Sequence, residues 1–441
     1  MKFYNREEEL SSLHEIKQQS LSSAKMTFII GRRRIGKTKL IRQAFTDNMV
    51  YFFISRKSEN LLCGEFVEEL KRTLEIEIYG EFKRFSDLFA HILILAKAHP
   101  FTLAIDEFQE FYHVNSAIYA DIQHLWDKHK DDSKLNLVLS GSIYSLMHKI
   151  FEHSKQPLYG RANRKMMLKA FNIPTLIEIF RDNNAPLIPE NLLAFYTISG
   201  GVAKYVEIFI EYQAFSLAKI LDVFFSHSSL FINEGRDVLI EEFGKEYTTY
   251  FTILSLIANS KTSRSEIEST LGKSVGGYLE KLEVTYNIIQ TIKPIFSKSG
   301  SRVQKYEIKD HFLNFWFRFV YKYQSAIELE NYAYVKEIIQ EDFSTYSGRY
   351  LEAFMVDALK LKKVYNQIGR YWERGNQNEI DIVAINERKR EALIVEVKRA
   401  KNKIILSRLK AKANNLIQAH LQNYTIRYKG LSLEDVVKIL E

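Results

Sequence analysis

Of 441 residues only one, Cys63, is a cysteine. A lone thiol forms no internal disulfide, so an oxidising compartment is not indicated. Only six prolines and no low-complexity tracts argue against long disordered linkers. The longest apolar runs, such as residues 88–96, stop well short of the ~20 residues needed to cross a bilayer. The N-terminus shows no basic-then-apolar leader. The eleven histidines have no metal-ligand spacing with Cys63. A cytoplasmic protein with no membrane partner is expected. What is present suits globular cores: 46% of the residues are hydrophobic, and the length allows about three domains.

The formal charge of +8 is unevenly placed. Residues 341–441 hold 19 Lys/Arg and 13 Asp/Glu, a net of +6. Lys398, Arg399, Lys401, Lys403, Arg408, Lys410 and Lys412 follow one another with no acid between. Such a run attracts phosphate backbones, or else is a solvated helix face.

Gly31-Arg32-Arg33-Arg34-Ile35-Gly36-Lys37-Thr38 matches the phosphate-loop pattern G-x-x-x-x-G-K-[ST]. The apolar residues 26–30 before it predict a buried parallel strand, and 37–45 predict the following helix. Gly31 and Gly36 let the backbone curl its N–H groups toward phosphate oxygens. The helix N-terminus adds partial positive charge. Lys37 reaches the β- and γ-phosphates, and the Thr38 hydroxyl ligates Mg²⁺. ATP and Mg²⁺ are the cofactors expected.

A second element is expected one strand away. Residues 101–105 are an apolar run ending in Asp106-Glu107. Asp106 there holds Mg²⁺ through water and Glu107 polarises the attacking water. The alternative is a helix N-terminus, where acids are common. Residues 135–139 form a further strand ending in Ser140-Gly141-Ser142. The Ser140 hydroxyl either senses the γ-phosphate or belongs to an ordinary Ser/Gly turn.

These residues carry a family resemblance. The N-terminal third resembles the AAA+-related archaeal-type ATPases, close to the signal-transduction ATPases. Phe3-Tyr4-Asn5-Arg6-Glu7-Glu8-Glu9-Leu10 is similar to the family's opening F-x-x-R-E-x-E-L box, which implies that Arg6 lies near the adenine. The loop with Arg34 resembles its arginine-rich phosphate loop, and Asp106-Glu107-Phe108-Gln109 its metal box. Pro157-Leu158-Tyr159-Gly160-Arg161 resembles a box whose arginine serves as a finger for a neighbouring subunit's γ-phosphate. Arg161 is otherwise a surface arginine. Gly200-Gly201-Val202-Ala203-Lys204-Tyr205 resembles a lid motif, with Ala203 where the motif usually has proline and Lys204 at the sensing position. The resemblance implies a homo-oligomer joined through the ATPase domain.

The fold expected is multidomain α/β. Residues 1–175 alternate strands and helices, with a second strand at 49–54, and predict an AAA+-like parallel sheet. Residues 176–245 are helical and aromatic, a lid. Residues 246–310 predict a winged helix: a helix at 250–259, a Ser263/Glu266 capping box opening a second that Gly272 ends, a third at 274–283, then strands 288–292 and 304–308 around the basic turn Lys298-Ser299-Gly300-Ser301-Arg302. Such a unit either binds DNA or packs between domains. Residues 311–340 begin with an aromatic stripe read as core.

Residues 341–441 hold a second constellation. In a strand, Glu379 and Asp381 share a face, as do Glu396 and Lys398 in the next. If the two strands pair, three acids and a lysine converge, at a cost that packing alone would not select. Carboxylates so placed hold one or two Mg²⁺ ions. Upstream, residues 347–354 predict a helix carrying Glu352. Asp381, Glu396 and Lys398 resemble the D…ExK core of the PD-(D/E)xK nuclease superfamily, with Glu352 matching its helix acid. The resemblance implies a restriction-endonuclease-like domain with metal ligands Glu352, Asp381 and Glu396, and Lys398 as a catalytic residue. The expected function is an ATPase coupled to a DNA-binding, nuclease-like domain. The alternative is a signalling or scaffolding ATPase whose C-terminal domain binds nucleic acid or protein without cleavage.

Overall fold

A computed structural model describes residues 1–244, 247–298, 300, 301 and 303–439. Ser299 and Arg302 of the expected basic turn lie outside the described residues. The chain forms two compact units, Tyr4–Ala170 and Met1–Phe3 with Phe171–Glu441.

In the first unit five strands run parallel in the order β2-β3-β4-β1-β5. They are β1 (Lys25–Ile30), β2 (Met49–Phe53), β3 (Phe101–Asp106), β4 (Leu135–Gly141) and β5 (Arg164–Met167). Every residue of β3 and β4 is buried, as the apolar runs of a sheet covered on both faces demand. Helices Glu59–Leu74, Phe85–Ala98 and Ile118–His129 supply buried residues to the same core. Register puts the ends of β1, β3 and β4 side by side: Ile30 pairs with Gly141, and Ile105 with Leu139. Loops leaving neighbouring parallel strands at that edge form a crevice for ligands. β5 was not expected from the sequence. Of its four residues only Met166 is buried, so it carries no apolar run to read.

In the second unit five helices fill 173–243, where the sequence reads as helical over 176–245. Helices Tyr247–Ala258, Arg264–Leu271 and Gly276–Glu280 follow, the last extended by a π-helical turn at Lys281–Thr285. The Ser263/Glu266 capping box is formed, and Gly272 closes its helix in the left-handed conformation. An antiparallel hairpin of β6 (Ile289–Ile292) and β7 (Lys305–Ile308) comes next. Phe312, Phe315, Trp316 and Phe317 of the aromatic stripe are buried, and Trp316 Nε1 donates to the Ile232 carbonyl at 2.8 Å.

A four-stranded sheet ordered β11-β10-β9-β8 completes this unit. Its strands are β8 (Gln367–Tyr371), β9 (Ile380–Asn386), β10 (Glu391–Lys398) and β11 (Thr425–Ser432). β9 and β10 form the expected hairpin, and helix Leu406–His420 carries the chain from β10 to its parallel neighbour β11. Helix Gly348–Leu361 carries Glu352.

Candidate functional site

The loop between β1 and helix Lys37–Ala44 is shaped by two left-handed residues. Gly36, capping the helix, has φ 98°, and Arg34 has φ 68°. Gly31 is also constrained: a Cβ there would sit 2.9 Å from Ile35 and 3.1 Å from Leu168. Lys37 folds back over the loop, its Nζ donating to the Gly31 carbonyl at 2.8 Å and reaching the Arg32 carbonyl at 3.4 Å. Burial holds its ammonium below the usual lysine range, partly offset by Glu107 and Asp106.

Asp106, at the end of β3, is met by three hydroxyls. Thr38 Oγ1 and Tyr51 Oη donate to Oδ2 at 2.7 Å each, and Ser140 Oγ to Oδ1 at 2.5 Å. Burial pushes the Asp106 carboxyl up, but these hydrogen bonds and the nearby Lys37 outweigh it and hold it below the usual carboxylate range. A hydroxyl and an ionised carboxylate beside a phosphate loop are hard oxygen donors that suit Mg²⁺. Thr38 and Asp106 thus stand together as the sequence predicts. Ser140 is spent on Asp106.

Glu107 sits in the left-handed region at φ 54°, a conformation that non-glycine residues adopt at a cost. Its Oε2 accepts from Gln109 Nε2 at 2.5 Å and from Ser142 Oγ at 2.7 Å. Gly141 makes room for this clamp. A Cβ there would lie 2.4 Å from Gln109 Oε1 and 2.5 Å from Met147. Tyr51, Gln109 and Ser142 are the site residues that sequence reasoning missed. Tyr51 is the middle residue of β2, and the parallel pairing of β2 with β3, Tyr51 beside Ala104, brings its hydroxyl to Asp106.

Arg6 is buried at φ 89°, donating to Glu9 at 3.2 Å and to the Lys169 carbonyl at 2.6 Å. The Arg161 guanidinium grips Asp127 through Nε and Nη2, the latter at 2.8 Å, and donates to the Pro157 carbonyl at 2.7 Å. Lys204 lies in the other unit, in helix Ala203–Glu211, paired with Glu207 at 2.8 Å.

The second constellation is only partly assembled as expected. Glu379 precedes β9, is half-exposed and pairs with Lys305 at 3.3 Å, while remaining near enough to Glu352 to act on its charge. Asp381 accepts from the Val397 N–H at 2.7 Å. Lys398 Nζ lies 3.4 Å from Asp381 Oδ2 and 3.6 Å from Glu396 Oε1. Glu396 is 5% exposed, and its Oε2 is buried without a hydrogen-bond partner among the described residues. Glu352 pairs with Arg370 at 3.2 Å, and Arg370 also holds Glu307 of β7 at 2.6 Å. Burial pushes the Glu352 carboxyl up to about 7, with Arg370 opposing and Asp381 and Glu379 reinforcing the rise. Among the described residues no three His, Cys, Asp or Glu side chains stand as a ready metal cage. Cations separate the carboxylates instead.

Comparison with known proteins fits this geometry. An ATPase domain predominantly from Archaea matches residues 3–209. A family described as archaeal and bacterial proteins of unknown function matches 316–434. An uncharacterized protein of Methanocaldococcus jannaschii is 30% identical over 409 residues, covering 90% of this chain and 87% of that protein. The Walker-type ATPase of Pyrococcus abyssi has the same fold over 71% of this chain and 96% of its own, with a TM-score of 0.54 and 19% identity. The Aeropyrum pernix ORC2 protein, solved as ADPNP and ADP complexes, gives a TM-score of 0.49 at 13% identity over 74% of this chain and 94% of its own. No helix among the described residues is long and apolar enough to cross a membrane.

Proposed function

The chain belongs to the same family as the Methanocaldococcus jannaschii protein and carries the archaeal ATPase domain toward its N-terminus; from that premise we propose that it binds and hydrolyses ATP and couples nucleotide state to a DNA-binding, nuclease-like C-terminal domain. The observation that carries the ATPase half is the meeting of Thr38, Tyr51 and Ser140 on Asp106 beside the Lys37 loop. Lys37 binds the β- and γ-phosphates. Thr38 and Asp106 hold Mg²⁺, which when bound neutralises phosphate charge. Glu107 polarises the attacking water once Gln109 and Ser142 release it. Arg161 completes a neighbouring subunit's site after leaving Asp127, and Lys204 senses nucleotide from the lid. The three helices and hairpin of 246–310 act as a winged helix on DNA.

For the C-terminal domain, the supporting observation is Asp381 and Glu396 with Lys398 between them at one end of the sheet. Two carboxylates with one buried oxygen left open fit one divalent cation, and Glu352 could join them if it left Arg370. Such a cation, when bound, activates water and stabilises the leaving oxygen of a phosphodiester. Lys398 orients the phosphate. A second reading has its own support: Lys398 and Arg370 already neutralise these acids, as suits a domain that binds nucleic acid or protein without cutting.

The test incubates the full chain with linear, circular and branched DNA, with and without Mg²⁺ and ATP, beside Lys37→Ala, Asp381→Ala and Lys398→Ala. Cleavage lost in the two C-terminal variants supports the nuclease reading. Binding without cleavage on every DNA form leaves the second reading. ATP turnover unchanged in Lys37→Ala would overturn the ATPase assignment.

A further inference from the structure

We propose that Lys412 is a phosphate-contacting residue of the C-terminal site, held on Glu396 in the cation-free protein and released toward a substrate phosphate when Glu396 becomes a metal ligand. The inference deepens the metal-site reading above and rests on it. Lys412 ends the acid-free basic run, but its placement sets it apart from that run. Helix Leu406–His420 buries Leu409, Ala413 and Leu416. Position 412 falls on that stripe, three residues after Leu409 and four before Leu416. Arg408 and Lys410 are exposed, and Lys410 lies over the Tyr428 ring at 5.5 Å. Lys412 is partly buried, and its Nζ lies 3.7 Å from Glu396 Oε1.

Glu396 is therefore flanked by two ammoniums from different elements, Lys398 at 3.6 Å and Lys412 at 3.7 Å. Neither distance is a hydrogen bond. Its Oε2 is buried with no partner at all among the described residues. A buried carboxylate pays for missing hydrogen bonds, and a purely structural acid is expected to have them. An acid that ligates a cation keeps an oxygen open. Once that charge is neutralised by a divalent ion, both lysines lose their counter-charge. Their next anion is a phosphate group at the same place. Lys412 thus competes with the metal and favours the nucleic acid, two effects of opposite sign.

The experiment uses the full chain and two probes: Mn²⁺ alone, followed by thermal unfolding, and a duplex DNA, in Ca²⁺ and separately in EDTA, followed by binding across a salt series. In Lys412→Met the Mn²⁺ concentration giving half-maximal stabilisation should fall roughly threefold or more, because a competing cation is gone. DNA affinity in Ca²⁺ should fall, and the log–log salt slope should shrink by about 0.9, whereas in EDTA, with Lys412 held on Glu396, both should change little. Lys410→Met, which removes the same charge from the exposed face, should weaken DNA binding and leave the Mn²⁺ midpoint unchanged. Lys412→Arg should keep both properties near wild type. If Lys412→Met fails to fold in EDTA, Lys412→Gln carries the same test. A midpoint that is unchanged or raised while wild type responds to Mn²⁺ overturns the role of Lys412 alone. A wild type indifferent to Mn²⁺ overturns the metal site, and Lys412's role falls with it.

Discussion

Replacing Glu352 by Gln should stabilise the second unit in alkali and not in acid. The reason is the raised carboxyl, pushed from about 4.5 to about 7 chiefly by burial against the pull of Arg370. At pH 4 the side chain is protonated folded and unfolded, so its ionisation costs nothing. Between pH 4.5 and 7 the unfolded chain gives up the proton and the folded chain retains it, so wild-type stability falls as pH rises. Above pH 7 the whole cost is present. At 1.36 kcal/mol per pH unit the gap corresponds to about 3 kcal/mol. That is an upper figure, because the Glu352 side chain keeps 26% of its exposure and water screens it in part. The amide of the Glu352→Gln variant has no such titration, so its advantage over wild type should grow by up to about 3 kcal/mol from pH 4 to pH 8. Urea unfolding in EDTA measures it. With Trp126 replaced by Phe, fluorescence comes from Trp316 and Trp372, both in the second unit. A stability difference that is flat with pH, or that shrinks as pH rises, would refute the reasoning.

Glu107→Gln should keep ATP binding and slow hydrolysis roughly 10²-fold or more, measured by single turnover, since it preserves shape and removes the water-polarising charge. Tyr51→Phe leaves Asp106 with two hydroxyl donors; the Mg²⁺ concentration for half-maximal hydrolysis should rise severalfold with little change in the saturated rate, and an unchanged Mg²⁺ titration would dismiss Tyr51. Mixing Arg161→Ala with Lys37→Ala subunits should restore hydrolysis that neither has alone; full activity in a strictly monomeric preparation would rule out a finger acting between subunits.

The phosphate loop was legible because its chemistry and its local structure share one stretch of chain. Gly36, Lys37 and Thr38 sit in sequence as they sit in space. The same holds for Asp106, which ends an unbroken apolar strand. Tyr51, Gln109 and Ser142 were not legible as site residues. Tyr51 reaches Asp106 because β2 pairs with β3 in a register that opposes Phe53 to Asp106, and register is set by packing over the whole sheet. The C-terminal hairpin was read correctly from its alternation, but Glu379 was misplaced. β9 begins one residue later, at Ile380, and Glu379 finds Lys305 from a hairpin 74 residues upstream. Arg370 and Lys412 were invisible as partners of acids for the same reason: each comes from an element whose own pattern says only strand or helix. Alternation and spacing report which face a side chain occupies; they do not report which distant charge waits there.

The two acid centres are neutralised differently, and the difference decides how each meets a divalent cation. Asp106 is surrounded by hydroxyls, which stabilise its charge without carrying any. A cation arriving with nucleotide finds an ionised carboxylate whose side-chain hydrogen-bond partners among the described residues are hydroxyls, with the nearby Lys37 bonded to the Gly31 carbonyl rather than to Asp106. Asp381 and Glu396 are faced by Lys398 and Lys412, and Glu352 by Arg370. Binding there must displace a charge, which raises the concentration required. Mn²⁺ titrated into one protein should therefore support ATP hydrolysis at concentrations below those that alter Trp372 fluorescence, Trp372 lying beside Lys305 in the C-terminal unit. Lys412→Met should draw the second midpoint toward the first and leave the first in place. If the C-terminal centre filled before the nucleotide site, its lysines would not be competing for the carboxylates, and the account of Glu396 as a carboxylate held in reserve by ammonium groups would be wrong.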